Sequence, residues 1–192
     1  MKLNLQNLKS LMRVIVCSAA LNFIISDNNH AFAQTAALDL LFSELQNPEN
    51  EDWKTSEQKI WREWGKSGSA AIDHLLQRGI AAMQQGDLRT AVEHFSAAID
   101  HAPDFAEAWN KRATVFYMMD EYGLSMSDIR QTLLLNPRHF GAMGGLGIIM
   151  EDLERSKDAL SVYQRALAVH PHQEGIKEAI ERLEQQVKGT SL

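Results

Sequence analysis

The 192-residue sequence has a single cysteine, Cys17, and only four prolines. One thiol excludes an intramolecular disulfide and a cysteine-rich metal site. Because proline interrupts helices, so few prolines leave room for long ones. The formal net charge is −6, and no dense run of lysine and arginine occurs. Binding to a phosphate backbone needs such a basic footprint, so we expect no nucleic-acid partner.

The N-terminal segment lacks the length of a membrane span. Residues 14–25 form its apolar run, which is short of the about 20 residues that cross a bilayer. Basic residues precede this run, and Ala31-Phe32-Ala33 follows it. This pattern is typical of a secretory signal peptide in residues 1–33. We predict cleavage between Ala33 and Gln34, export to the periplasm and no membrane insertion afterwards; the alternative is a disordered or anchoring N-terminus.

A period of 34 residues runs through the rest of the chain. It shows first in the prolines, Pro103, Pro137 and Pro171. Each proline is placed to end a helix, and small residues at the same period let two helices approach closely. The other columns are Gly79, Ala113, Gly147; Ala91, Ser125, Ala159; Phe95, Ile129, Tyr163; Ala98, Thr132, Ala166; Leu75, Trp109, Met143; and Ala82, Phe116, Met150.

These columns resemble the consensus of the tetratricopeptide repeat (TPR), with repeats at 72–105, 106–139 and 140–173. Trp109 in repeat two matches the tryptophan of that consensus. The resemblance implies an all-α protein, a right-handed α-solenoid of three TPR helical hairpins. It also implies a scaffold that binds other proteins or peptides. Turns are expected at Gly86-Asp87, Asp120-Glu121 and Glu154-Arg155.

Additional helices are predicted at both ends of the repeats. Residues 174–192 form an amphipathic C-terminal capping helix and tail, because a stack of repeats must cover its exposed end. Residues 34–71 form an N-terminal helical hairpin, either a degenerate repeat or a cap. This hairpin holds Trp53, Trp61 and Trp64. We expect these rings to pack on the first repeat; alternatively, an exposed one anchors a partner.

No constellation of residues points to catalysis. His139, His170 and His172 are expected to be exposed loop residues, since a zinc site takes three or four ligands. The glycines near Gly144 do not follow a strand, as a dinucleotide site would require. We therefore predict no enzyme activity, no catalytic residues, no metal site and no cofactor.

The resemblance also implies where a ligand binds, because the first helix of each repeat lines the concave groove. The groove suits an extended peptide or an amphipathic helix. A carboxylate clamp is disfavoured, because of the cations in such clamps only Lys111 has a counterpart. The candidate groove residues are Leu76, Ile80, Met83, Asn110, Lys111, Thr114, Tyr117, Gly144, Ile148 and Glu151.

Two functions follow from this interpretation. The first is a non-catalytic interaction scaffold of the bacterial cell envelope that binds a peptide or helix in the groove. The second is a structural envelope protein whose N-terminal hairpin fills the groove, so that partners bind the convex face. The sequence leaves the partner and the oligomeric state open.

Overall fold

The structure, a computed structural model, describes residues 36–189, and every regular element in that range is an α-helix. The predicted signal peptide, with Ala33 and Gln34, lies outside the described residues. The described residues fall into two units, 36–41 and 42–189. The helices are α1 (36–46), α2 (Trp53–Trp64), α3 (Ala70–Gln84), α4 (Leu88–His101), α5 (Ala106–Met118), α6 (Tyr122–Leu135), α7 (Phe140–Asp152), α8 (Ser156–Val169) and α9 (Glu174–Gly189).

Three helical hairpins make up most of the second unit. α3 packs against α4, α5 against α6, and α7 against α8. Successive hairpins also pack together, through α4 with α5 and α6 with α7. This is the succession of helices that the 34-residue period predicts.

The turn inside each hairpin contains one residue in the left-handed backbone region. These residues are Gly86 with φ 77°, Asp120 with φ 61° and Glu154 with φ 58°, and they are spaced by the repeat period. Glycine adopts this region freely, whereas a residue with a Cβ atom is strained by about 1–2 kcal/mol. The turns lie where the sequence predicts them, but only the first has the residue best suited to its backbone.

The small residue near the middle of each first helix sets how closely the second helix approaches. A Cβ atom on Gly79 would overlap the ring of Phe95, and one on Gly147 would overlap the ring of Tyr163. Repeat two has Ala113 and the smaller Ile129 at these two positions, and both are buried. The glycines are therefore matched to the bulky rings opposite them.

Arg112 takes part in a part-buried ion pair inside the second repeat and in a hydrogen bond to the first repeat. Arg112 of α5 makes a two-pronged contact with Asp128 of α6, at 2.7 and 3.0 Å. Its Nη1 also donates to Ser96 Oγ on α4 at 3.0 Å. Because a planar guanidinium that bonds a carboxylate twice has little freedom, this contact fixes the register of α4, α5 and α6.

α9 covers the C-terminal end of the stack, as predicted. Ala179 and Leu183 are buried in the same core cluster as Ala159 and Tyr163. On its outer side, Arg182 Nη1 lies 2.6 Å from Glu151 Oε2 on α7. The apolar stripe of α9 thus covers the last repeat, as expected of a solenoid cap.

The predicted N-terminal hairpin corresponds to helices α1 and α2. The second unit begins within α1, at Phe42. Residues 42–64, which we call the tryptophan hairpin, include the end of α1, a turn and α2. Ser56 Oγ donates to Glu44 Oε2 at 2.6 Å, and Asn50 Nδ2 donates to the Glu44 carbonyl at 2.9 Å. Leu45 and Ile60 are completely buried. Between residues 36 and 189, no helix has the length and apolar composition needed to cross a membrane.

Candidate functional site

Four of the predicted groove residues line one open cleft of about 240 Å³. Asn110, Thr114 and Tyr117 come from α5, and Ile148 comes from α7. The three residues of α5 are one or two helical turns apart and share one face. Ile148 occupies the same position as Thr114, 34 residues later, so the repeat brings the two faces together. The remaining lining residues are Ala113, Ser125, Ile129, Gly141, Ala142, Gly145 and Ile149.

The cleft has an apolar lining with a few polar groups that are bonded within the protein. Thr114 Oγ1 donates to the Asn110 carbonyl at 3.0 Å, and Asn110 Nδ2 donates to Glu107 Oε2 at 3.2 Å. Ser125 Oγ donates to the Ala113 carbonyl at 2.8 Å. Ile148 is 45% exposed at the rim. A concave apolar surface of this kind is suited to an apolar side chain.

A second cleft, of about 480 Å³, adjoins the first and shares Gly141, Gly145 and Ile148 with it. Gly144, another predicted groove residue, lines this second cleft with residues from α8 and α9. A Cβ atom on Gly144 or Gly145 would only make ordinary contacts, at 3.6 Å with Ile176 and 3.9 Å with Ile129. These glycines therefore form a shallow floor between the two clefts.

The other predicted groove residues line neither of these two clefts. Leu76 is 1% exposed and belongs to the core, which corrects its assignment to the ligand surface. Ile80 and Met83 are half-buried against that same core cluster. Lys111 Nζ pairs with Glu107 Oε1 at 3.0 Å. Glu151 accepts a bond from Tyr163 Oη at 2.8 Å and pairs with Arg182.

The tryptophan hairpin packs on the junctions around repeat three, not on the first repeat as predicted. The Trp64 ring stacks on the His139 ring with centroids 4.3 Å apart, and the Trp61 ring meets Phe140 edge-on at 5.0 Å. Trp53 stacks on His172 at 4.9 Å. The prediction failed because it assumed that the hairpin packs on its neighbour in sequence.

The tip of Trp61 reaches into the predicted groove. A Cβ atom on Gly141 would lie 2.5 Å from this ring, and Lys111 Nζ lies 5.5 Å from the ring centroid. Lys111 is one of the predicted groove residues, and Gly141 lines both clefts. One end of the groove is therefore covered by the chain's own hairpin, whereas the cleft beside Ile148 stays open.

Two histidines that were predicted to be exposed are buried. His139 Nδ1 accepts the main-chain N–H of Ala142 at 3.0 Å, which caps the start of α7. Its Nε2 lies 2.9 Å from Glu107 Oε2. A nitrogen that accepts carries no hydrogen, so the Nε2 hydrogen is donated to Glu107. The sequence offered one signal for this capping role, because His139 stands directly before a predicted helix, where a capping acceptor is expected.

Glu107 is a buried carboxylate at the covered end of the groove. Burial raises its pKa, but the hydrogen bond from His139 and the charge of Lys111 outweigh burial and hold the pKa below its usual range. Glu107 is therefore ionised, and it compensates the positive charge of Lys111. Lys111, the cation that would bind a carboxylate group of a ligand, is therefore already paired with Glu107.

The second buried histidine, His170, links the tryptophan hairpin to the end of α8. Its Nε2 lies 3.3 Å from Glu57 Oε1 on α2, and its ring meets the rings of Trp53 and Phe140 edge-on. Burial lowers the pKa of His170, although the Glu57 carboxylate acts in the opposite direction. His172 contributes to the lowering through its proximity.

The open cleft has an acidic rim at the other end. Tyr117 Oη donates to Asp152 Oδ2 at 3.0 Å, and the rings of Tyr117 and Tyr122 stack with centroids 5.8 Å apart. The hydrogen bond to Asp152 raises the pKa of Tyr117. Burial, with the charges of Asp152 and Asp120, raises the pKa of Tyr122. Both phenols are therefore neutral, and the carboxylates set the charge of this rim.

The described side chains offer no multidentate metal site: within residues 36–189, no group of three or more His, Cys, Asp or Glu could hold an ion. What the geometry offers is surface, namely an open cleft, a glycine floor and an acidic rim. Such a surface can bind a ligand by shape and charge.

Comparison with known proteins agrees with the repeat architecture. A family model described as "Tetratricopeptide repeat" matches residues 76–126. A TPR repeat-containing protein of Rhizobium etli is 34% identical over 173 residues, which cover 90% of this chain and 85% of the relative. The chain belongs to the tetratricopeptide-repeat family. The Hsp70-Hsp90 organizing protein of Triticum aestivum is 29% identical over 105 residues, which cover 55% of this chain and 18% of that protein.

Solved TPR structures share the fold. The first TPR of Spaghetti (RPAP3), bound to an HSP90 peptide, superposes with a TM-score of 0.58 at 19% identity, covering 61% of this chain and 93% of that one. MamA superposes with a TM-score of 0.58 at 18% identity, and the superposition covers 71% of this chain and 84% of MamA. The predicted fold class, an all-α solenoid of TPR hairpins with additional helices at both ends, is confirmed.

Proposed function

We propose that this TPR protein is a non-catalytic interaction module of the bacterial cell envelope that binds a segment of another protein in the open cleft. The observation that supports this proposal is the apolar cleft between α5, α6 and α7, where Ile148 stands 45% exposed beside Asn110 and Tyr117. An exposed apolar cleft with a few polar groups at its edge is what a ligand surface requires.

The ligand class differs from that of the similar solved structures whose names mention HSP90 or Hsp70 peptides. Lys111 is paired with Glu107 and lies beneath Trp61, so it is not free for a terminal carboxylate. Removing one partner of a buried charge pair is costly, so a ligand gains little by competing for this lysine. We therefore propose an internal segment of a partner protein as the ligand, not an acidic chain end.

The proposed location rests on the N-terminal sequence. The basic start, short apolar run and Ala31-Phe32-Ala33 support export of the chain across the inner membrane. The test is fractionation of cells that produce the full sequence, followed by N-terminal sequencing. We expect a periplasmic protein that begins at Gln34; a cytoplasmic protein with its first residues retained would contradict the location but not the binding function.

Photo-crosslinking tests the binding surface directly. A benzoylphenylalanine at position 148 samples the cleft, and one at position 124 is the control, because Leu124 is similarly exposed at 49% but lines neither cleft. We expect a defined crosslinked partner at position 148 and none at position 124. Crosslinks at position 124 alone would contradict binding in the cleft.

A second function remains, because the tryptophan hairpin does cover part of the groove. Trp61 lies on Gly141 and above Lys111, which are positions where a TPR ligand would lie. In this alternative the protein is structural, and partners bind its convex face. The crosslink at position 124 is its expected signature, so the same experiment separates the two functions.

A further inference from the structure

We propose that the cleft selects a segment that carries an arginine or lysine next to an apolar side chain. This inference rests on the proposed function, since it assigns the chemistry of the ligand for the same cleft. The occupant is a basic and apolar segment of a partner protein, whose positive charge complements the acidic rim of the cleft.

The charges around the cleft are unbalanced. Lys111 is paired with Glu107, and Arg182 is paired with Glu151, so these two cations are already compensated. Asp152 is exposed and accepts a hydrogen bond from the hydroxyl of Tyr117, and it also interacts with the hydroxyl of Tyr122; both phenols are neutral. Asp120 is also exposed and acts on both Tyr117 and Tyr122. The rim therefore presents net negative charge to whatever enters the cleft.

The aromatic rings strengthen the same preference. Tyr117 lines the cleft and stacks on Tyr122, so one phenol face borders the site while its hydroxyl is directed to Asp152. A cationic side chain is attracted both to the face of an aromatic ring and to a carboxylate. An arginine is favoured over a lysine here, because its planar guanidinium can stack on the ring and bond the carboxylate at the same time.

The glycine floor explains how the main chain of the ligand approaches. Gly144 and Gly145 form this floor and carry no side chain, so a segment that crosses them can approach closely, with Ile148 of both clefts beside it and the Trp61 ring on Gly141 bounding the path. The apolar side chain then enters the smaller cleft and the cation reaches the rim.

Selection from a display library tests the charge preference and does not require the partner to be identified. The probe is a library of random dodecapeptides on phage, panned against the chain from Gln34 onward. The variants are Asp152→Asn, with Asp100→Asn as the control because Asp100 is an exposed aspartate on α4, away from both clefts. We expect enriched peptides with arginine or lysine within two residues of a large apolar residue, on wild type and on Asp100→Asn.

The best peptide is then synthesised with blocked ends, together with a version whose basic residues are replaced by glutamine. We expect the basic peptide to bind about three- to tenfold more tightly by fluorescence anisotropy, the range of one or two exposed ion pairs. This advantage should disappear in Asp152→Asn and shrink at high salt, because exposed charges are screened. Equal affinity of the two peptides, or an unchanged advantage in Asp152→Asn, overturns the charge assignment.

One more variant separates this inference from the proposed function. Gly145→Leu fills the floor of the cleft, and circular dichroism checks that it stays helical. If Gly145→Leu abolishes peptide binding but charge has no effect, the binding function stands and the ligand class is wrong. If wild type enriches nothing over Gly145→Leu, both are wrong.

Discussion

The ring of Trp61 lies so close to the backbone of Gly141 that a Cβ atom there would come within 2.5 Å of it. The ring is also held edge-on between Trp64, at 5.1 Å, and Phe140, at 5.0 Å, so it has little room to move aside. A glycine in a helix costs about 1 kcal/mol relative to alanine. Here that cost is offset by contact with the tryptophan hairpin.

Replacing Gly141 with alanine should therefore loosen the tryptophan hairpin while leaving the repeats folded. Overpacking costs about 1–3 kcal/mol, more than the about 1 kcal/mol that alanine contributes to helix α7. Hydrogen exchange should show faster exchange in α2 and unchanged exchange in α7. Gly144→Ala is the control, since its Cβ meets only Ile176 at 3.6 Å. Equal exchange of α2 in both variants would contradict the role of this contact.

The three hairpin turns predict a graded response to glycine. Glu154 has φ 58° and Asp120 has φ 61°, whereas the equivalent residue in repeat one is Gly86. Glu154→Gly should raise the free energy of unfolding by about 1 kcal/mol, because it removes left-handed strain. Asp120→Gly should give less, since aspartate tolerates this region better. Gly86→Ala should lower the free energy of unfolding. Urea denaturation of the three variants measures these changes. A lower free energy of unfolding in Glu154→Gly than in wild type would contradict the strain at this turn.

The match between Gly79 and Phe95 predicts energetic coupling. Gly79→Ala places a methyl group against the Phe95 ring and should cost about 1–3 kcal/mol. Repeat two shows that alanine and isoleucine fit at these positions, as Ala113 and Ile129. In Phe95→Ile the same Gly79→Ala change should cost less, with a coupling of about 0.5–3 kcal/mol in a double-mutant cycle. Additive effects would show that the two sites do not meet.

What the sequence predicts well is local and periodic. The pairing of Gly79 with Phe95 and the turn at Gly86 follow from positions within one repeat, where helix geometry fixes which side chains meet. The capping role of α9 follows for a similar reason, because an amphipathic helix directly after the last repeat covers its exposed end. None of these features depends on contacts between distant segments of the chain.

What the sequence did not predict depends on contacts that are distant along the chain. The stacking of Trp64 on His139 and the pairing of Glu57 with His170 join residues that no period relates. For the same reason the burial of His139 was missed, since a histidine before a helix resembles a loop residue until its covering ring is known. Leu76 was assigned to the groove by its repeat position, but it lies in the core.

The pairing of Glu107 with His139 predicts a large loss when the histidine is removed. His139→Ala removes one hydrogen bond from the buried carboxylate, which keeps its contacts with Asn110 and Lys111, and it removes the cap of α7, so we expect a cost of about 2–4 kcal/mol. Glu107→Gln keeps an oxygen to accept the His139 hydrogen and should cost less. Chemical denaturation measures both. A smaller loss for His139→Ala than for Glu107→Gln would contradict the importance of the bond.

The docking of the tryptophan hairpin should weaken as pH falls. Burial holds the pKa of His170 below its ordinary 6.5, even with Glu57 beside it. The unfolded chain therefore takes up the proton first, and the stability from neutral His170 is present above about pH 6.5 and lost as pH falls through the lower folded pKa. The groups that face this ring are Glu57, His172 and the rings of Trp53 and Phe140.

Denaturation of wild type and His170→Gln between pH 8 and pH 5 tests this dependence. The free energy of unfolding of wild type should fall across the acidic half of the range, and the slope should be smaller in His170→Gln, because glutamine does not titrate. His101→Gln is the control, since His101 is an exposed histidine at the end of α4. The same slope in His170→Gln as in wild type would show that another group governs the acid sensitivity of the hairpin.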